Sequence, residues 1–281
     1  MLTDKDLELS NIKGISEVFN QRIYKYVGYE DAIKYVLIDK NTLKFSSPND
    51  FNDPFDCYEG FVNFSNVPPS ATLDDTAKRL LDRSIVKEAS SRTKQVLNDR
   101  RTRLNFFKEQ KKDYRVSCFS KVYDEVLMWS HYANKHTGVC IGFEFPIEPL
   151  PKDFIVFPVV YKDSVQPFDV YANPFRIILH WIITKSHHWK YEKEVRAIIK
   201  NDSRKLLNDG NNYYYVIEKD WIKEIVFGCK VSDKVVEKTI KLIRKNGFKN
   251  ILIKRMFINP DNFSLEENII ADIQNYKNKV K

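Results

Sequence analysis

Glu192, Glu194 and Arg196 stand two residues apart in the stretch His188-Trp189-Lys190-Tyr191-Glu192-Lys193-Glu194-Val195-Arg196-Ala197-Ile198-Ile199. Val195, Ile198 and Ile199 favour an extended, partly buried segment, and the period of two in a strand sends both carboxylates and the guanidinium to one face. Carboxylates about 7 Å apart on one wall repel modestly unless cations or hydroxyls offset the charge. Such a wall suits charge stabilisation or proton transfer better than it suits folding. The bland alternative is the charged solvent face of an edge strand, with Arg196 as counter-ion.

The chain has 281 residues, 43% of them hydrophobic, enough to bury a sizeable core. Lys and Arg number 46 against 38 Asp and Glu, a net charge of +8 that suits an acidic partner such as nucleic acid, or serves solubility alone. Cys57, Cys118, Cys140 and Cys229 are scattered without a CxxC pair, so neither a zinc site nor a disulfide framework is expected. Residues 1–8 show no basic region followed by an apolar core, and no run approaches about 18 apolar residues. The expectation is a cytoplasmic protein with no membrane partner.

Several elements must position the acidic stretch. Strands are expected at 22–27, 42–46, 114–120, 139–145, 154–161, 213–217, 222–227 and 251–258, from alternation and β-branched or aromatic residues. Helical spacing predicts helices at 30–39, 125–133, 173–186 and 231–246, the last stopped by Gly247. Between them, Phe51-Asn52-Asp53-Pro54-Phe55-Asp56 reads as an anchored loop, structural or lining a pocket. Residues 94–103 hold four cations that could meet phosphates or form a solvated helix face. The organisation expected is an N-terminal arm (1–21), a single catalytic domain (22–260) with a helical insertion at about 70–112, and a polar C-terminal tail (261–281), helical from 264. The class is α+β.

Six blocks appear in order: Tyr24-Lys25-Tyr26, Phe45-Ser46-Ser47-Pro48, Phe51-Asn52-Asp53-Pro54-Phe55-Asp56, Met128-Trp129-Ser130-His131-Tyr132-Ala133, His136-Thr137-Gly138-Val139-Cys140 and Trp189 to Arg196. Together they resemble a widespread bacterial family of uncharacterised proteins. That likeness covers about residues 22–230, and the family's order of elements is in turn similar to the ADP-ribosyltransferase superfamily. That resemblance implies a split β-sheet core with helices and a helical insertion, and NAD as substrate. It makes Glu194 the catalytic glutamate, Glu192 the upstream member of the pair, and Ser120 the hydroxyl that ends the second motif strand and orients Glu194. The superfamily usually places His or Arg on the first strand. Here Lys25 stands between Tyr24 and Tyr26, any of which could contact NAD. Trp129 and Tyr132 are candidates to sandwich nicotinamide, or core residues at helical spacing; Asn52 and Asp53 could meet the ribose or adenine end.

The chemistry implied is loss of nicotinamide from NAD through an oxocarbenium-like state that a fixed carboxylate stabilises. No GxGxxG fingerprint occurs, so NAD would be consumed rather than used as a hydride carrier. The basic composition points to a nucleic-acid acceptor, RNA ahead of DNA, whereas Glu-x-Glu transferases often modify protein arginine. A toxin or phage-defence effector, with a possible antitoxin partner, is the setting the resemblance implies. Two other readings compete. One is a non-catalytic module that binds nucleic acid or protein. The other is a metal-dependent nuclease using His187 and His188 with Glu192 and Glu194, and His131 and His136 upstream, although no HExxH is present.

Overall fold

Ile23–Val27 (β1) shows how this chain builds its sheets, because successive side chains enter different cores. Ile23 packs with Ile141, Phe143 and Ile225, whereas Tyr24 and Tyr26 pack with Cys140, Val226 and Met256. Both faces are therefore covered, and each fully buried apolar side chain contributes about 1.5–3 kcal/mol. The structure is a computed structural model that describes residues 21–38, 41–63, 101, 105, 108, 111–146, 154–169, 174–210 and 212–273. Residues 1–20 of the expected N-terminal arm, and most of the helical insertion with its basic run 94–103 apart from Arg101, lie outside the described residues.

The protein is α+β, and it divides into two compact units. In the larger unit, β1 is followed by a helix, α1, that starts at Tyr29–Asp31 and continues in π geometry over Ala32–Ile38. That geometry sends Ala32, Val36 and Leu37 into the core. Among the described residues, the other α-helices of this unit are α2 (Val126–Tyr132) and α4 (Asp233–Lys245). Its strands are β2 (Thr42–Phe45), β4 (Tyr114–Ser120), β5 (Val139–Phe143), β6 (Ile155–Pro158), β10 (Glu194–Lys200), β11 (Leu206–Asn208), β12 (Tyr213–Val216), β13 (Ile222–Phe227), β14 (Leu252–Ile258) and β15 (Leu265–Asp272). Eight of them form one mixed sheet in the order β15-β14-β13-β5-β1-β4-β10-β6. The pair β13–β14 is parallel, with α4 as its crossover, while β1 runs antiparallel to β4 and β5. Strands β11, β12 and β2 make a second sheet, whose Leu43, Phe45 and Tyr215 join the core beneath α1 and α4.

The smaller unit contains the residues around Asn52 and Asp53. Two short parallel pairs, β3 (Val62–Asn63) with β8 (Phe168–Asp169) and β7 (Val160–Lys162) with β9 (Thr184–Ser186), accompany helix α3 (Pro174–Ile183). Ion pairs Lys111–Glu59 (2.6 Å) and Lys185–Asp56 (3.7 Å) join its segments.

Residues 265–272 form a strand where the sequence suggests a helix. The Asn259 side chain accepts hydrogen bonds from the Asp261 and Asn262 amides, making the turn that folds β15 back on β14. Backbone pairing along β14 then outweighs a helical pattern with no continuous apolar stripe. The helix expected over 173–186 stops at Ile183, because Thr184–Ser186 pairs with β7.

Candidate active site

A single row of side chains crosses five adjacent strands on one face of the large sheet. Glu224 of β13 pairs in register with Gly142 of β5, Gly142 with Tyr24 of β1, and Tyr24 with Ser120 of β4. The Lys121 amide donates to the Lys193 carbonyl at 3.0 Å, which sets the next position, Glu194 at the start of β10, beside Ser120. Tyr24, Ser120 and Glu194, expected on three separate motif strands, are thus neighbours.

Arg196 clamps Glu194. Its Nε donates to Glu194 Oε1 at 2.7 Å and its terminal nitrogen to Oε2 at 3.1 Å, a two-point contact between side chains on one edge of β10. Glu194 is 4% exposed and Arg196 0%, so both charges have left water together. The carboxylate is anchored by this cation rather than by Ser120, whose hydroxyl proton goes to the Glu192 carbonyl at 2.7 Å. Ser120 instead splices the end of β4 to the residues before β10, and its oxygen also accepts from the Val122 amide at 3.1 Å. Beside Glu194 lies Cys118, whose thiol pKa is pushed up by burial and further by the carboxylate.

Glu192 does not share the strand with Glu194. It ends a short 3₁₀ stretch, His187–Glu192, and Lys193 then adopts a left-handed backbone conformation (φ 43°) before the strand begins. The shared wall of Glu192, Glu194 and Arg196 read from alternation therefore reduces to Glu194 and Arg196. The Glu192 carboxylate accepts from the Tyr132 hydroxyl at 2.8 Å, tying α2 to the entry of β10.

Of the remaining candidates, Lys25 faces away from Tyr24 and Tyr26. Its ammonium donates to Ser117 Oγ at 2.9 Å and to the Cys118 carbonyl at 3.1 Å, and lies 5.2 Å from the centre of the Phe119 ring. Burial lowers the Lys25 pKa, partly offset by Cys118 and Glu194. Trp129 is fully buried, donates to the Tyr123 carbonyl at 2.7 Å and meets Tyr26 edge-on at 5.2 Å, so this aromatic pair fills core. Tyr26 donates to the Val122 carbonyl, and burial pushes its phenol pKa up. Asn52 is exposed, and Asp53 accepts from the Phe55 amide at 2.9 Å, closing a local turn within the smaller unit. Asp53 Oδ2 is buried without a hydrogen-bond partner.

Glu224 is the charged residue that sequence reasoning passed over. It is fully buried, receives Arg22 at 2.5 Å and Lys254 at 2.8 Å, and accepts from the Tyr24 hydroxyl at 3.2 Å. Lys254 also reaches Glu267 at 2.8 Å and the Tyr123 hydroxyl at 3.2 Å, while Tyr123 donates to Glu267. Burial alone would lower the Lys254 pKa, but Glu224 and Glu267 outweigh it and raise it. Burial likewise opposes ionisation of Glu267, and the bonds from Lys254 and Tyr123 hold its pKa below the usual range. Gly142 makes this network possible. A Cβ there would come within 2.8 Å of Arg22 Cδ and 2.9 Å of Glu224 Cβ. The available signal was a glutamate two residues before Val226 in a largely apolar strand; Ile222, on the far side of a bulge, faces the other core.

Among the described residues, no group of three or more His, Cys, Asp or Glu side chains converges to hold a metal ion. No helix of the described residues is long and apolar enough to cross a membrane. No curated protein and no solved structure matches the chain. Residues 128–197, from α2 to the Glu194–Arg196 pair, are similar to a family described as a protein of unknown function, DUF2971.

Proposed function

We propose that the chain is an NAD-consuming ADP-ribosyltransferase with an ADP-ribosyltransferase-like core, Glu194 being its catalytic carboxylate. The observation that carries this reading is the alignment of Tyr24, Ser120 and Glu194 across β1, β4 and β10, with Glu194 dehydrated and held at two points by Arg196. Arg196 favours the ionised carboxylate. A fixed anion in a site screened from water stabilises the positive charge that develops at the ribose C1′. There the bond to nicotinamide breaks, its electron pair leaves on the pyridine nitrogen, and the acceptor's nucleophilic atom bonds C1′ and gives up its proton. Ser120 and the Glu192–Tyr132 contact fix the approach to β10, and Tyr24 forms the adjoining wall. With a net charge of +8, the acceptor is nucleic acid, RNA ahead of DNA, and the setting is a cytoplasmic toxin or phage-defence effector that an antitoxin restrains.

A non-catalytic binding module is the second reading. It is favoured by the commitment of both Glu194 oxygens to Arg196 and by the packing of Trp129 and Tyr26 into core. Nicotinamide release from NAD separates the two. Wild type should release nicotinamide, and Glu194→Gln should lower the rate by at least about 100-fold. Glu194→Asp keeps the charge but withdraws the carboxylate by about 1.5 Å, and it too should lose on the order of 100-fold. Full activity in both variants, each checked to be folded at the assay temperature, removes Glu194 from catalysis.

A further inference from the structure

Helix α4 turns its apolar side inward through Val236, Thr239 and Ile243 and places Lys234, Lys238, Lys241 and Lys245 on the exposed side. Their spacing of four, three and four residues keeps all four within about 60° around the helix, in a line roughly 16 Å long. Elsewhere the chain pairs partly or fully buried lysines with carboxylates, as at Lys111, Lys185 and Lys254. The four on α4 have no ion-pair partner among the described residues. Of the two acidic residues in the helix, Asp233 is engaged by Arg255, which leaves Glu237 beside the stripe. Lys230 and Lys249, both exposed, lie just beyond its two ends. A solvated helix face is commonly laced with both signs of charge. This one carries four cations in a line, and each strand of a duplex presents about five phosphates over that length of axis, at roughly 3.4 Å each.

We infer that Lys234, Lys238, Lys241 and Lys245 form a stripe that binds the phosphate backbone of nucleic acid along α4. The surface rests on the nucleic-acid acceptor of the proposed function and supplies affinity without base specificity. Its test needs no NAD. Binding of a short fluorescein-labelled single-stranded RNA, followed by anisotropy between about 50 and 200 mM salt, should weaken at least about tenfold when all four lysines become Gln. The slope of log affinity against log salt should fall by about 2 to 3, at roughly 0.7 per lost contact. Lys44→Gln with Lys205→Gln, two exposed lysines, one on β2 and one in the turn before β11, should leave the slope unchanged. The thermal midpoint of the fourfold variant should stay at the wild-type value, since none of these side chains is buried or paired. An unchanged slope in that variant, or no RNA binding by wild type at low salt, overturns the stripe. RNA binding through the stripe with no nicotinamide release retains the surface and removes the transferase.

Discussion

Arg196→Leu lowers the unfolding free energy by about 3–5 kcal/mol, a large fraction of the stability of a typical domain. The substitution leaves Glu194 4% exposed and deprived of the guanidinium that contacts both of its oxygens. Removing one member of a buried pair strands the other, so the loss reflects an uncompensated charge more than the worth of the pair itself. For the same reason, Leu at both 194 and 196 should cost less than Leu at 196 alone. Urea unfolding of the two variants checks this. A single variant with a wild-type midpoint, or a double variant weaker than the single, would contradict the geometry of β10.

Glu224→Gln should cost a similar amount, about 3–5 kcal/mol, because two cations converge on this fully buried carboxylate. Gln keeps the shape and can still accept from Tyr24, so the change isolates the charge. Arg22 retains Glu144 at 2.7 Å and Lys254 retains Glu267, which limits the damage but leaves the cluster with one anion fewer. Glu267→Gln is the control. Its side chain is 39% exposed, and removal of its charge should cost no more than about 1 kcal/mol. Equal losses at 224 and 267 in urea unfolding would mean that burial does not set the strength of this network.

Local patterns in the sequence located much of the fold. Tyr114–Ser120 was legible as a strand ending in a hydroxyl, and Ile222–Phe227 as a strand, because their apolar and β-branched residues are densely placed. What stayed hidden depends on long-range register. Nothing near Glu224 in the chain shows that it will face Gly142 and then Tyr24, because those pairs join residues about 80 to 120 positions apart. Glu192 was misplaced for a local reason. Alternation assumes extended backbone at every residue, and Lys193 turns left-handed, so the period of two starts at Glu194. The C-terminal strand was missed because β14 supplies the pairing partner that makes Leu265–Asp272 extended. Trp129 and Tyr26 show the converse, since aromatics at plausible site positions fill core once α2 packs on the sheet.

The proposed reaction is a transfer of ADP-ribose that depends on Glu194. Its most direct test is incubation of the purified protein with NAD labelled in the adenylate phosphate, in the separate presence of cellular RNA, DNA and lysate protein, with recovery of label in each pool. The expected result is label in nucleic acid, RNA ahead of DNA, lost in Glu194→Asp under conditions where that variant is folded. Label in no pool, with NAD left intact by the folded wild-type protein, would contradict it and leave the chain as a binding module.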